Sequence, residues 1–515
     1  MPENPPSTAA SSLRLETLRR QLAASDETET LKLFGVREFD RLLKTTISLC
    51  PTCLSHIPAL VFSRDGRVLM AKLCCEHGHL EVLLENDETF YYLSNKDRWG
   101  RRFAEDKVMD FPAFAGSCCG EDKTNTTAQL DQDFTDQSAN KSCTILVEVT
   151  NACNLACPVC YSDARGDRKL PFAAFQEYLL RLIERKGTLD SVQLTGGEAV
   201  LHPEFWKMVA FLHEQRIKKI YLPTNGIIFA EAKVATRLEP FKDKLMVLLQ
   251  FDGQQPDTNR AMRDANPTRV RDQVIENLAR LGIHMQLTMT ITQGVNDEEI
   301  GWVVETGLRH AHIKVVALQP VTYSGRYELP PDPLKRMTLS DCVKAVAAQV
   351  RQRSNPDDFK PIPCSHPNCG WITLFVQRFG LVRNISRHID LGQVMNQVSN
   401  RTLLNSTELR SVVGTKETSL VNRIGVWAGR SLIRSTDIFA IAIKPFMDRF
   451  NYDQDRISAC CHHLLDTKGN AISFCEYNAR LRPGDSWNAF PLLKTGTQSQ
   501  TSGLINSTPV TAEGK

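Results

Sequence analysis

Three cysteines stand close together in "TNACNLACPVCY": Cys153, Cys157 and Cys160, spaced C-x3-C-x2-C directly after the apolar run Ile145–Val149. Thiolates at short, irregular spacing are ligands for iron–sulfur clusters or for zinc. Four of them close a site. Three would hold three irons of a cubane and leave the fourth open to a small chelating molecule, much as catalytic zinc sites keep one position free. A structural zinc site completed by a distant ligand is the competing reading. Further along, "LTGGEAVLHPEF" supplies Gly196 and Gly197, whose backbone can approach a partner closely. Glu198 follows, a carboxylate able to hold an ammonium group. "YLPTNGI" and "LLQFDG" add Asn225 and Asp252.

The other cysteines are also grouped. The chain has 16, at 50/53/74/75, 118/119, 143/153/157/160, 342, 364/369 and 460/461/475. Clusters of this kind in a reducing compartment read as metal sites. Cys50-x2-Cys53, a hairpin and then Cys74 with His77 make a tetrahedral site of three thiolates and one imidazole, with Cys75 competing with His77 as the fourth ligand. In the C-terminal half, Cys364, Cys369, Cys475 and one of Cys460 and Cys461 would complete a four-thiolate auxiliary cluster, the other of the adjacent pair being spare. Buried reduced thiols are the alternative for both groups. Cys118 and Cys119 cannot close a cluster alone.

These residues need elements to hold them. Strand-like runs at Ile145–Val149, Ser191–Thr195, Lys219–Pro223, Met246–Phe251, Met285–Thr290 and Lys314–Gln319 alternate with helical patterns at Phe172–Arg185, Pro203–Arg216, Phe229–Leu238, Arg269–Leu281 and Asp297–His310. That rhythm predicts an α/β fold with a parallel sheet, and right-handed connections make it an open or partial (β/α)6 barrel. The loops after the strands' C-terminal ends carry the chemistry in such a barrel. The three cysteines, Glu198, Asn225 and Asp252 all fall there. The expected organisation is a flexible extension over 1–43, a Cys/His metal module over 44–95 with a hairpin turning at Asp65-Gly66, and a polar linker over 96–142. The barrel spans 143–330, an auxiliary-cluster domain 331–478, and a disordered tail 479–515.

At 515 residues the chain holds more than one domain, and 42% hydrophobic with 23% charged residues is ordinary globular composition. A net charge of +3 is too small to argue for nucleic acid. The start "MPENPPSTAASSLRLETLRR" has no apolar signal core and no long apolar span follows, so the expected location is the cytoplasm.

The combination of C-x3-C-x2-C loop, GGE strand end and successive polar strand ends resembles the radical S-adenosylmethionine (SAM) superfamily. The flanking CPxC…C-x-E-HG module, PC-x4-C segment and FMD…CC-x-H…FCxYN ending are similar to the group holding tetraether and membrane-spanning lipid synthases and the pterin-directed class D radical methylases. The resemblance implies a [4Fe–4S] cluster on Cys153, Cys157 and Cys160, with SAM chelated to the open iron. Tyr161 would lie near the adenine, Gly196, Gly197 and Glu198 at the methionine amine, and Asn225 and Asp252 at ribose or substrate polar groups. It further implies a 5′-deoxyadenosyl radical that abstracts hydrogen from an unreactive C–H, a rubredoxin-like iron or zinc module at Cys50, Cys53, Cys74 and His77, an auxiliary [4Fe–4S] cluster, and reduced ferredoxin or flavodoxin as electron donor. Two substrates fit: the ends of lipid alkyl chains to be coupled, or a pterin-like heterocycle to be methylated. The lean is to the alkyl chain, because a second cysteine-rich motif associated with the methylases is missing. With that lean go peripheral contact with the inner membrane and lipid contact by "RIGVWAGRSLIRSTDIFAIAIKPF", whose competing reading is core-packed amphipathic helix. A cluster-bearing scaffold or electron carrier is the non-catalytic alternative.

Overall fold

The computed structural model describes residues 8–37, 40–110, 142–351, 354–378, 381–390 and 434–493. Cys118, Cys119 and the start of the segment proposed for lipid contact lie outside them.

All six predicted strands form, as Thr144–Thr150, Leu189–Gly196, Ile217–Thr224, Leu245–Gln250, His284–Ile291 and Ile313–Pro320. They pair in parallel in chain order. Their odd or even sets, such as Ile145/Val147/Val149 and Met285/Leu287/Met289/Ile291, share one core with Phe175, Leu179, Phe205, Val274 and Val303 from the intervening helices. Helices therefore cover the outer face. Because side chains alternate along a strand, the residues between them face the inside of the curve. Those inward positions include Gln193, Thr195, Tyr221, Gln250, Gln286, Thr288, Thr290 and Gln319. Leu146, Met246, Leu248 and Ala317 share this face, which is therefore mixed, with amide and hydroxyl side chains in the larger number.

The chain after the sixth strand does not form a separate body. Ile438–Ile443 extends the parallel run beside the sixth strand, and His462–Leu465 extends it beside the first. Antiparallel strands Trp371–Arg378 and Ala471–Ser473 continue each edge, in a sheet of 12 strands with two edges rather than a closed barrel. The apolar stretch read as amphipathic helix is thus an inner strand at 438–443, with Phe439, Ile441 and Ile443 in the core. Among the described residues no helix is long and apolar enough to cross a membrane.

A separate antiparallel sheet precedes the barrel: Arg41–Leu49, His56–Arg64, Arg67–Cys74 and Gly78–Glu85, in that order. Asp65 and Gly66 both take positive φ, 51° and 74°, the left-handed pair that a tight hairpin requires. Three expectations need correction. The 1–43 extension is not free chain, since Thr8–Ala23 is a helix whose Leu15 and Leu22 pack on Ile47 and Trp99. The first part of the 96–142 linker is packed too, Trp99 donating Nε1–H to Ser458 at 2.7 Å. Residues 479–493 of the expected tail are also packed, Arg482 forking onto Glu148 at 2.7 and 3.0 Å and Leu493 donating to Asp167.

This N-terminal sheet is fastened to the C-terminal segment by buried polar contacts. Lys44 lies within 3.3 Å of Asp97, Asp453 and Asp455, all inaccessible to solvent. Thr46 donates to Asp453, and Ser48 to the Tyr452 carbonyl. Removing Lys44 would leave three buried carboxylates uncompensated, the costly way to break such a group.

Candidate functional site

Cys153, Cys157 and Cys160 lie on the loop after the first strand, and the second strand end is pressed against that loop. Gly197 donates its N–H to the Thr150 carbonyl and Glu198 to that of Ala152, both at 2.8 Å. A Cβ on Gly196 would sit 2.1 Å from the Thr150 oxygen, and one on Gly197 1.8 Å from that of Ala152. Gly196 also holds φ at +130°. The glycines are needed for backbone contact with the cysteine loop itself, a tighter constraint than room for a ligand.

Glu198 is fully enclosed. One oxygen accepts from Thr224 Oγ1 at 2.8 Å and the other from the Asn225 N–H at 2.9 Å. Burial outweighs both hydrogen bonds and raises its carboxyl to about 7. Asn225 turns its side chain to the loop, Nδ2 donating to Asn154 Oδ1 at 2.7 Å. The carboxylate and the third strand end are thereby placed beside the cysteines. Burial, and after it the Glu198 charge, push the Cys153 thiol up to about 12. A metal that demands a thiolate reverses that preference.

Tyr161 is half-buried, its hydroxyl 3.2 Å from Thr195 Oγ1 and its ring edge-on to Phe474. Asp252 differs from the reading of its position. Its oxygens accept from Arg263 at 2.7 and 3.0 Å, from Arg271 at 3.3 Å, from Gln250 at 2.8 Å and from the Thr290 N–H at 3.0 Å. Both are occupied within the protein, and Asp252 organises arginines where a ligand contact was expected. The far side of the loop is gripped by the chain after the sixth strand. Val159–Cys160 pairs with Arg326–Tyr327, the Arg326 guanidinium donates to the Cys157 carbonyl, and Glu328 donates to that of Pro158 at 3.0 Å. Arg263 and Arg326 carry no motif and were not singled out in the sequence.

The N-terminal cysteines converge as expected. Cys50, Cys53, Cys74 and His77 place one donor atom each within 4.8 Å of one another. The distances are 4.0 Å from Cys53 to Cys74 sulfur and 3.6 and 3.5 Å from His77 Nδ1 to the sulfurs of Cys50 and Cys74. Zinc bonds of about 2.3 Å to sulfur and about 2.0 Å to nitrogen in a tetrahedron separate ligand atoms by about 3.5–3.8 Å, so the set fits one metal ion. Cys75 is exposed and outside the group. Burial opposes ionisation of Cys74, but His77 and nearby backbone N–H groups prevail and bring its thiol down to about 6.

The C-terminal cysteines divide differently from the expected set. Cys364 and Cys461 meet Cys143, with all three sulfurs within 4.8 Å. Pairing of the His462 strand with the first barrel strand brings Cys461 beside Cys143, whose N–H donates to the Cys461 carbonyl at 2.8 Å. Cys369, Cys460 and Cys475 lie outside that group: the Cys460 thiol donates to the His462 carbonyl at 3.1 Å, and Cys475 sulfur accepts from the Met447 N–H at 3.3 Å. Of the 460/461 pair only Cys461 joins Cys143 and Cys364. Successive side chains on extended chain point to opposite sides, so each serves a different neighbourhood. Cys143 was the residue missed, because its partners are distant in sequence.

Comparison with known proteins agrees with this geometry. Residues 147–306 match the radical SAM superfamily, and residues 42–86 match the HMPTM N-terminal zinc ribbon domain. The 7,8-dihydro-6-hydroxymethylpterin dimethyltransferase of Methanocaldococcus jannaschii is 26% identical over 493 residues, 84% of this chain and 93% of that protein. The GTP 3′,8-cyclase of a Synechocystis species is 28% identical over 35% of this chain and 56% of its own length. Among solved structures, a radical SAM methyltransferase from Sphaerobacter thermophilus is similar over 66% of this chain and 86% of that one, at 15% identity and a TM-score of 0.30. The radical SAM domain brings with it a [4Fe–4S] cluster and SAM as cofactors, and its chemistry draws on an external electron donor. Three thiols on one loop beside an enclosed carboxylate suit that pair of groups. Residues 147–306 are thus a radical SAM domain, preceded by a zinc ribbon over residues 42–86.

Proposed function

We propose that the protein is a radical methylase whose substrate is a small polar heterocycle of the pterin type. The observation that carries this reading is the inner face of the barrel. Gln193, Thr195, Tyr221, Gln250, Gln286, Thr288, Thr290 and Gln319 alternate with the helix-facing core residues on successive strands. Amide and hydroxyl groups suit the edges of a nitrogen heterocycle better than an alkyl chain, which offers them no hydrogen bonds. The pterin dimethyltransferase that is similar over most of the chain supports the same substrate class. This replaces the lean to alkyl-chain coupling, and the membrane contact attached to it.

In this reading Cys153, Cys157 and Cys160 hold the iron–sulfur cluster, and Glu198 takes the ammonium of SAM. Thr224 and the Asn225 backbone keep the Glu198 carboxylate aimed. When bound, the cluster and SAM supply one-electron chemistry that ends in hydrogen abstraction. The chain's own part is to fix the loop, orient the carboxylate and exclude water. Cys50, Cys53, Cys74 and His77 hold the zinc, and Cys143, Cys364 and Cys461 with the Cys369/Cys460/Cys475 group are the auxiliary metal positions. Reduced ferredoxin or flavodoxin is the donor.

The test is anaerobic reconstitution with reductant, SAM and either a reduced hydroxymethylpterin or a fatty acyl substrate. Pterin-dependent formation of 5′-deoxyadenosine together with a pterin heavier by methyl groups is the expected result. Turnover only with the acyl chain would return the reading to lipid coupling. A loaded cluster that yields no 5′-deoxyadenosine with either would exclude the radical reading.

A further inference from the structure

A buried charge group that touches the cysteine loop has no part in the function above. Arg263, at the C-terminal end of the helix Pro256–Arg263, is 8% exposed and holds Asp252 with two hydrogen bonds at 2.7 and 3.0 Å. Its remaining donors reach Thr290 Oγ1 and the Val159 carbonyl, each at 3.2 Å. Val159 lies between Cys157 and Cys160. Arg271, also buried, adds a second guanidinium to Asp252 at 3.3 Å. Two cations and one carboxylate leave an excess positive charge, and it points at the loop.

Buried ion pairs rarely improve on apolar packing, so stability alone does not account for this group. Its value lies in what it faces. Arg263 Nη1 donates to the carbonyl of Val159, inside the loop that joins Cys157 to Cys160. The potential of an iron–sulfur centre depends on net charge and on hydrogen bonds around its sulfurs. A cation held against the ligand loop favours the reduced centre, which carries one more negative charge.

We propose that Arg263 is a positioning residue for the three-cysteine loop: anchored by Asp252, it fixes the turn between Cys157 and Cys160 and lends positive charge that favours the reduced iron–sulfur centre. This rests on the assignment of the cluster to Cys153, Cys157 and Cys160. A merely structural arginine would affect folding and metal content but not the potential of a centre that still assembles.

The experiment is a redox titration of the reconstituted full-length protein, followed by electron paramagnetic resonance, for wild type, R263Q, R263K and C157A. At a fixed potential near the wild-type midpoint, the reduced-to-oxidised ratio should fall about tenfold in R263Q, equivalent to about 59 mV for one electron. R263K keeps the charge and should recover most of that loss. An R263Q centre that assembles fully and titrates like wild type overturns the proposal, as does an R263K shift equal to that of R263Q. If R263Q does not assemble, D252N carries the test. Removing the negative charge should shift the ratio the other way, and no shift overturns the proposal. C157A separates the two failures. If it keeps the SAM-responsive signal, the cluster assignment is wrong. If it loses that signal while R263Q leaves the potential unchanged, only the role of Arg263 is lost.

Discussion

The zinc ribbon and the barrel loop solve opposite problems with the same side chain. At Cys50, Cys53, Cys74 and His77 the protein supplies all four donors, drawn to within one ion's coordination sphere. Two knuckles joined by one hairpin are enough to do it, so the site is local and closed. At Cys153, Cys157 and Cys160 the chain supplies three donors on a loop that cannot hold itself. Its shape comes from Gly196 and Gly197 on one side, Arg326 and Glu328 on another, and Arg263 beneath. A closed site is finished by its own ligands, whereas an open one has to be held from outside so that a coordination position stays free.

The sharpest way to break this comparison is to remove one cysteine from each site. Cys157→Ala should take 5′-deoxyadenosine formation to background while the protein still carries its zinc, checked by metal analysis of the same sample. Cys53→Ser should do the reverse, losing zinc while most 5′-deoxyadenosine formation remains. Equal loss of both metals in either variant would mean that the two sites do not assemble independently. Gly197→Ala tests the external support without touching a ligand. The new Cβ would meet backbone 1.8 Å away, so the loop has to move. A displacement of about 1 Å at a reacting centre can cost about 100-fold, and a loss of that size is expected with all cysteines present. Wild-type rates in this variant would show that the glycines do not hold the loop.

What the sequence revealed follows from how local each signal is. The C-x3-C-x2-C loop, the GGE strand end and the six strand–helix units are written in adjacent residues, and all could be read. His77 over Cys75 was not decidable, because both follow Cys74 within one turn and only the hairpin's geometry selects the imidazole. Cys143 was invisible as a partner of Cys364 and Cys461, since it depends on a strand near the C-terminus pairing with the first barrel strand. Asp252 was read correctly as a strand-end carboxylate, but its arginine partners sit on the next two helices, where a buried arginine leaves no pattern in one sequence. The helix Thr8–Ala23 was underestimated because only a few of its leucines are buried, too thin an apolar stripe to stand out.

The open site should also respond to pH in a way the closed one does not. Burial raises the Glu198 carboxyl to about 7, and only the ionised form attracts an ammonium. The folded value lies above the ordinary carboxylate range, so the charge is present above pH 7 and lost as pH falls through it. SAM affinity measured by equilibrium binding should therefore weaken about tenfold between pH 8 and pH 6, while zinc content stays constant. A flat profile over that range would place the ammonium elsewhere.

The smallest effect expected is at Thr224, whose hydroxyl donates to Glu198 and touches no cofactor ligand. Thr224→Val keeps the branched shape that suits the strand and removes one hydrogen bond from the ionised carboxylate. The Asn225 N–H still holds the other oxygen, so the carboxylate remains aimed but is less stabilised as an anion. A loss of about 1 kcal/mol from the ionised form corresponds to about 0.7 of a pH unit, so SAM binding should weaken less than about twofold at pH 8 and about fivefold at pH 6. Because the neutral form loses less than the ionised one, the midpoint of the pH profile should move further up. Thr224→Ser, which keeps the hydroxyl, should restore both affinity and midpoint. If Thr224→Val weakens binding without moving the midpoint, the residue acts by shaping the strand end and not through the charge of Glu198.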